Sequence, residues 1–557
     1  MSLRLWLVAA SFALGSFAVS GLDVAHAQSD PEADRFFADQ DKDDPDDKSK
    51  KARRRRRRAK KETAYKGSLT STTFGYRESG SISQPMAGGQ VGAENASPVD
   101  RLFTDMRAQL DAKHISGGSW DARFDARVRL TPDERFQSGT FSGPEYDARE
   151  IYLKSNGKQT DFKLGRQFVT ELAAVKIDGI RFNHKTSEKW SYIGFAGAYP
   201  TRGSRSVLED YPSGPEGLMG EPGKMIIPVA AGLGGEYRYD NYYGSIGVVG
   251  IYPNADDEAL GTLEKPRAFV TANGYLRKSN ELDIYHFAVV DLDGAAGAGV
   301  TNLSLGINYK PNADVRLTAS VHRVDTETLN VQAQTKLEDQ GLQAGDMGLV
   351  QNNLAVSRIS SQSARAGLST ALANRRFELS VMGAVRERPE ILLQPNMAAA
   401  PIIIESFQSA EVTIRAVDRR SYKGIRFSGS FTSIFGIGET ANINRSDVNV
   451  ITLSGSRVVS DGQGELEIDA RYVTSKDQDN ARMALCDQLN PTTCFGTSFV
   501  TTMSVGGLLY YRFKPDWFGV FAVRVGTQAL KTAEAGMEVA QPDILITSGF
   551  ARIAYRF

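Results

Sequence analysis

Polar and apolar residues alternate along the stretch "FTDMRAQLDAKH", which runs from Phe103 to His114. Successive side chains of a β-strand point to opposite faces, so one face of this segment would be polar and the other apolar. The next segment, "WDARFDARVRL", has the same two-residue period. A soluble sandwich would also produce this pattern, so the alternation predicts two-faced strands without identifying the solvent. The polar faces would carry Asp105, Arg107, Gln109, Asp111 and Lys113 in the first strand and Asp121, Arg123, Asp125, Arg127 and Arg129 in the second.

Segments with this period recur through most of the chain and are separated by turn residues. They predict an all-β protein with roughly 22 strands, within a range of about 18 to 24. Most are long enough for a tilted strand to cross the hydrocarbon of a membrane, which takes ~9–11 residues. The strands are expected near residues 68–78, 102–114, 119–131, 145–155, 160–169, 172–183, 189–199, 226–239, 242–253, 266–277, 282–291, 301–310, 314–325, 355–372, 375–387, 408–418, 423–435, 446–457, 463–474, 497–513, 517–529 and 545–557.

The connections between these predicted strands alternate in length. Even-numbered connections are short, as in "SNGK" and "KSNE", whereas odd-numbered ones such as 79–101 and 200–225 are long. Outer-membrane barrels have short periplasmic turns and longer external loops. The connection after the fifth strand is the exception, because it is odd-numbered and short. Trp120, Trp190 and Trp517 each follow a short turn, where an interfacial aromatic belt is expected.

The two ends of the chain indicate export. Residues 1–27 have the features of a signal peptide cleaved after Ala27, with an apolar run before an A-x-A site. An uncleaved anchor helix is the alternative, since the run is almost long enough to span a bilayer. The last seven residues, "ARIAYRF", alternate up to a terminal aromatic residue. They resemble the C-terminal strand of bacterial outer-membrane β-barrels, and the resemblance implies that Tyr555 and Phe557 form the signal read by the barrel-assembly machinery.

Together these features predict a transmembrane antiparallel up-and-down β-barrel over residues 67–557, located in the bacterial outer membrane. Its apolar face would contact outer-membrane lipid and its charged face would line the interior. Because open sheet edges cannot face lipid, the sheet must close. The ~40 residues ahead of the barrel are far fewer than the plug domain of TonB-dependent transporters, so no plug domain is expected. Strands 145–155 and 242–253 fit the alternation poorly, and we expect their inward apolar residues to pack against folded-in loops.

Residues 28–66 form a charged tail in which nine acids and two bases lie between 30 and 47, and eleven bases and no acid between 48 and 61. Such a composition predicts a disordered periplasmic segment. It is either a solvated linker or a docking site for an anionic periplasmic partner over residues 48–61, held by bidentate arginine contacts. Export to the envelope argues against nucleic acid. Docking would use Arg53, Arg54, Arg55, Arg56, Arg57 and Arg58.

Candidate chemistry is sparse. Cys486 and Cys494 lie in one predicted external loop, and their spacing on an oxidising route predicts a disulfide. No metal site is expected, because softer metals would need further Cys or His ligands nearby. The histidines are dispersed and no G-x-S-x-G occurs, so neither an enzyme nor a cofactor is expected. Beyond the signal and tail, roughly 51 bases and 55 acids remain, which at most permits a mild cation preference.

The segment "REIYLKSNGKQTDFKLGRQFV", followed by "KIDGIRF", resembles the early hairpin of porin-like outer-membrane channels, including the alginate-export type. We therefore hypothesise a passive channel for small polar or charged solutes, whose Asp/Arg rows line the pore and set a field across it. The alternative is a non-enzymatic component of an envelope-spanning export or motility complex, engaged through the tail. The matching residues are Arg149, Glu150, Tyr152, Leu164, Gly165, Arg166, Gln167, Asp178 and Gly179.

Overall fold

In the computed structural model, the described part of the chain begins at residue 63 and ends at residue 557. It excludes residues 80–81, 86–90, 95–98, 131–144, 201–210, 212–226, 253–265, 279–280, 294–297, 327–358, 389–390, 394–401, 405, 423, 438–443, 480–496, 535–536 and 541–542. Among the described residues, no helix is long and apolar enough to cross a membrane.

Twenty-two long strands make up the wall. The first eleven are β1 (Ala64–Ser79), β2 (Val99–Lys113), β3 (Trp120–Leu130), β4 (Glu145–Asn156), β5 (Thr160–Val169), β6 (Val175–Lys185), β7 (Trp190–Ala198), β8 (Val229–Tyr239), β9 (Tyr242–Tyr252), β10 (Arg267–Lys278) and β11 (Leu282–Asp293). The second eleven are β12 (Gly299–Tyr309), β13 (Val315–Thr326), β14 (Ile359–Leu372), β15 (Phe377–Arg388), β16 (Phe407–Tyr422), β17 (Ile425–Gly436), β18 (Asn444–Val459), β19 (Gly464–Asp479), β20 (Thr497–Lys514), β21 (Trp517–Glu534) and β22 (Ile544–Arg556).

The sheet closes on itself. Each wall strand pairs antiparallel with its neighbours in sequence, and β1 pairs with both β2 and β22. No strand edge of the wall is therefore left open to lipid, as a membrane barrel requires. The fold is a closed 22-strand antiparallel β-barrel, the architecture of outer-membrane barrels, and no plug domain is evident among the described residues.

The two faces of the wall differ as the alternation predicts. Exposed large apolar side chains follow one face of most strands, for example Leu453 on β18, Ile468 on β19 and Val505 on β20. The wall strands run from nine residues in β7 to eighteen in β20 and β21. Even the shortest reaches the ~9–11 residues that a tilted strand needs.

All 22 predicted strands are present, with bounds that differ by a few residues. The first begins at Ala64, earlier than the predicted residue 68. Five short strands were not predicted, because they lie inside connections that we had interpreted as loops: Ile82–Pro85, Val91–Glu94, Ile391–Leu393, Ile402–Ile404 and Met537–Ala540.

Candidate functional site: the barrel lumen

The two charged rows predicted from the sequence lie on the inner face of β2 and β3. In the strand register, Asp105 is opposite Arg129 and Asp111 is opposite Arg123. The other face of the same strands carries exposed apolar residues such as Phe124. The structure therefore brings the acids of one row close to the bases of the other.

These rows form ion pairs with each other. Arg107 donates from Nε and Nη2 to the two oxygens of Asp125, at 2.8 and 2.6 Å. Gln109 adds a third hydrogen bond to the same buried carboxylate. Arg129 binds Asp105 with the same bidentate geometry, at 2.8 and 3.2 Å. Acid and base thus neutralise each other within one wall, and the predicted field across the lumen would have to come from other residues.

Arg123 joins three strands. Its Nε donates to Glu150 on β4 at 2.6 Å and its Nη1 donates to Asp111 on β2 at 3.2 Å. One guanidinium therefore holds two carboxylates that would otherwise repel each other.

The remaining members of the rows have separate surroundings. Asp121 accepts hydrogen bonds from the backbone N–H of His114 and from the side chain of Asn156. Lys113 is exposed at the end of β2. Arg127 lies opposite an arginine of β2, and no described carboxylate lies within ion-pair distance of it.

The turn between β5 and β6, residues 170–174, packs into the lumen. Leu172 at its centre is completely buried. A Cβ on Gly234 or Gly247 would lie 2.6 or 2.4 Å from its Cδ2, so these two glycines make room for the leucine. Ser245 Oγ also donates to the carbonyl of Glu171 at 2.8 Å. We refer to residues 170–174 as the inner turn.

The sequence shows that this connection is unusually short but does not predict its position inside the barrel. The available signal is its composition, "TELAA", which lacks the Gly, Pro, Asn, Asp and Ser residues typical of an exposed turn. Ala173 and Ala174 both have positive φ angles, of 59° and 53°, which allow the chain to reverse sharply inside the barrel. Asn273 Nδ2 fixes the turn further by donating to the carbonyl of Glu171 at 3.3 Å.

The side chain of Glu171 anchors the inner turn to β6. It accepts a hydrogen bond of 2.7 Å from Arg181, and both side chains are mostly buried. Burial alone would raise the pKa of this carboxyl, but the charge and hydrogen bond of Arg181 outweigh it and hold the pKa below the ordinary value. The carboxylate is therefore the stable form in the docked turn.

Under the inner turn lies an apolar cluster on the inner face of the wall. Val249 of β9 belongs to this cluster, as expected where the alternation of that strand fails, whereas no residue of β4, the other strand with poor alternation, does. The members of the cluster come from the inner turn and from β5 to β11. The cluster therefore lies on one side of the barrel. Its members are Val169, Leu172, Val175, Ile177, Ile193, Phe195, Ala230, Val249, Phe269 and Val289.

A buried arginine, Arg166, lies beside the cluster, at the point where the strand pairing of β4 with β5 ends. The register ends at Arg166, next to Gly165, whose φ of +124° marks an irregular backbone. Arg166 donates to both oxygens of Asp178, at 2.7 and 2.5 Å. Tyr211, from the connection between β7 and β8, donates to the same carboxylate at 2.5 Å. This contact ties part of that long connection to β6.

The inner face of β12 to β18 is different, because it carries small hydroxyl residues. Thr413 and Thr432 are hydrogen bonded to each other at 2.9 Å, and Ser428 and Ser454 at 2.7 Å. Ser304 contacts a histidine ring nitrogen of β13 at 2.9 Å. These hydroxyl side chains are short, so they extend little into the lumen.

The predicted assembly residues lie at the seam of the barrel. Phe557 exchanges two backbone hydrogen bonds with Gly67, at 2.9 and 3.1 Å. Its ring also covers Gly67, where a Cβ would lie 2.5 Å from the ring atom Cζ. The rings of Tyr555 and Trp517 are 4.8 Å apart beside it.

Other predicted sites lie outside the described residues. They are the cysteine pair Cys486 and Cys494 and the six tail arginines, 53–58. Among the residues that the structure does describe, no group of three or more His, Cys, Asp or Glu is placed to hold a metal ion.

No family model matches the chain, and no curated protein matches it in sequence. Among solved structures, the siderophore receptor PirA from Acinetobacter baumannii is 11% identical, with a TM-score of 0.44 over 88% of this chain and 80% of that one. OccAB4 from the same organism is 10% identical, with a TM-score of 0.36 over 90% and 100%. A bacterial polysaccharide outer membrane secretin is 13% identical, with a TM-score of 0.29 over 66% and 98%. At these values the similarity assigns neither a substrate nor an activity.

Proposed function

We propose that this chain is a porin-like channel of the bacterial outer membrane, through which small polar or charged solutes diffuse passively. The closed barrel and its apolar outer face support a position in lipid. A barrel of 22 strands is wide enough for an aqueous channel unless something fills it.

One observation carries the proposal, namely that the filling of the described lumen is one-sided. The apolar cluster and the inner turn draw on β5 to β11. The inner face from β12 to β18 instead carries hydroxyl groups, such as those of Ser304 and Ser428, which bind water well. A solute path along that side would be lined by groups that replace hydration.

Planar-bilayer recording of the purified mature protein tests this function. We expect stepwise conductance that rises with salt concentration. A barrel that inserts but stays electrically silent would contradict the proposal. If that silent barrel co-purified with periplasmic subunits and lost them on deletion of residues 28–66, the export or motility alternative would be supported instead.

A further inference from the structure

One side of the lumen carries an excess of positive charge. Exposed apolar residues such as Leu317 on β13, Leu368 on β14 and Ile414 on β16 mark the outer face of these strands. The alternation therefore places the residues between them on the inner face. The inner face of β13 to β16, which we call the basic wall, carries six arginines: Arg316, Arg365, Arg386, Arg388, Arg415 and Arg419.

Only two described carboxylates share the basic wall, and both are already paired. Glu411 accepts a hydrogen bond of 2.5 Å from Arg386. Glu378 accepts hydrogen bonds from Arg419 and from Ser369. Pairing cancels two of the six positive charges, those of Arg386 and Arg419.

Arg365 and Arg415 are two accessible arginines of the basic wall. Both are exposed, and no described carboxylate lies within ion-pair distance of either. Arg365 is the seventh of the fourteen residues of β14, and Arg415 is the ninth of the sixteen residues of β16. Both guanidinium groups therefore belong to the middle of the wall and not to a mouth of the barrel.

The neighbours of these two arginines leave them open to water. In register, Arg365 lies between Ser320 and Ala384. Arg415 lies beside Ser380 on one strand and a second serine on the other. Small side chains on both sides mean that a solute can approach each guanidinium without displacing a packed residue.

The basic wall also faces a wall in which acids and bases are nearly balanced. The barrel has 22 strands, so β14 is half a circumference away from β3. Three of the four acids on the inner face of β2 and β3 are bound by arginines of the same wall, as in the pair of Arg107 and Asp125. The fourth, Asp121, is hydrogen bonded near the start of β3. A solute crossing the lumen between the middles of these two walls therefore meets unpaired charge that is mainly positive.

We propose that the basic wall makes the channel selective for small anions, with Arg365 and Arg415 as transient ligands for carboxylate or phosphate groups. A guanidinium binds such oxyanions through two parallel hydrogen bonds. Contact in an exposed, hydrated place is weak enough for release, which conduction requires. This inference rests on the proposed channel function and reverses the mild cation preference that total charge permits.

The test is the permeability ratio of chloride to potassium, obtained from the reversal potential in a KCl gradient. The salt concentration is kept near 0.1 M, because the Debye length there is about 10 Å. The wild type should favour chloride. R365Q/R415Q should lower the ratio by roughly two- to fivefold, from Coulomb attraction at ~8 Å in water, and R365E/R415E should favour potassium. The matched control is K158Q/K310Q, which removes two positive charges from exposed short turns and should change the ratio far less.

Inorganic phosphate provides the ligand probe. Added on one side, it should reduce the chloride current of the wild type and have less effect on R365Q/R415Q. A wild type that conducts but favours potassium, or a ratio unchanged in R365E/R415E, would overturn this inference and leave the channel function intact. Absence of any conductance would instead refute the channel function on which the inference rests.

Discussion

Truncation of Leu172 tests whether the inner turn is held in the lumen by packing. The Leu172→Ala change removes a side chain that is completely buried between Gly234 and Gly247. Leu→Ala changes at such sites cost about 2–5 kcal/mol. Since 1.4 kcal/mol is a factor of ten, the ratio of docked to undocked turn should fall roughly 30-fold to several thousand-fold. The wall itself should stay folded, because strand pairing does not depend on this side chain.

The readout is the accessibility of residues under the turn. Thr271 is fully buried on the inner face of β10, and its hydroxyl has no hydrogen-bond partner, so Thr271→Cys is a mild change. A hydrophilic maleimide should label this cysteine slowly in the otherwise native barrel and at least tenfold faster with Leu172→Ala. The same chain without Thr271→Cys gives the background from the native cysteines.

Leu233→Ala is the matched control, because this leucine lies on β8 with its side chain 62% exposed on the outer face. It should leave the labelling rate unchanged. Single-channel recording gives a second readout, since an undocking turn should add current fluctuations in Leu172→Ala alone. Equal labelling rates in the native and Leu172→Ala barrels would refute the idea that packing holds the turn.

Three further predictions concern charge and closure. Arg123→Glu should destabilise the barrel by roughly 1–3 kcal/mol more than Arg127→Glu in urea unfolding from vesicles, because only Arg123 is hydrogen bonded to two carboxylates. Equal loss of stability in the two variants would contradict the bridge. The stabilisation from Glu171 is complete above its ordinary pKa of 4.5 and is lost as pH falls through the lower pKa of the folded protein. Acid should therefore release the inner turn, which cysteine labelling would detect. Glu171→Gln should abolish this acid-dependent release. Gly67→Val should cost about 1–3 kcal/mol of stability or prevent folding, because the valine side chain would collide with the terminal phenylalanine ring. Gly75→Val on the same strand, where there is room for a side chain, should be tolerated in the heat-modifiability gel assay. Similar behaviour of the two variants would argue against a tight seam.

The strand pattern was predictable from the sequence because a half-buried strand repeats every two residues. Lipid outside and polar groups inside impose the same period on every wall strand. Even segments of low hydrophobicity, such as "GIRFSGSFTS", are therefore recognised as strands. Register then follows from short turns. This is why the Asp and Arg rows of β2 and β3 were predicted on one face before any contact was known.

What the sequence could not show is which charges meet. Total charge is nearly balanced, but pairing depends on register between strands that are distant in the chain, as with Arg524 and Asp469 at 2.7 Å. The inner turn was also missed, because its position depends on Gly234 and Gly247, some 60 to 75 residues later in the sequence. Packing between residues so far apart in the chain produces no periodic pattern in the local sequence.

The central claim is that neighbouring residues of one strand face lipid and water alternately, and spin labels at Ile414 and Arg415 test it most directly. In the reconstituted barrel, collision with oxygen, which concentrates in lipid, should dominate for a label at 414, and collision with a water-soluble nickel complex should dominate for a label at 415. If both labels respond alike, or if the order is reversed, the closed barrel with a hydrated interior is contradicted.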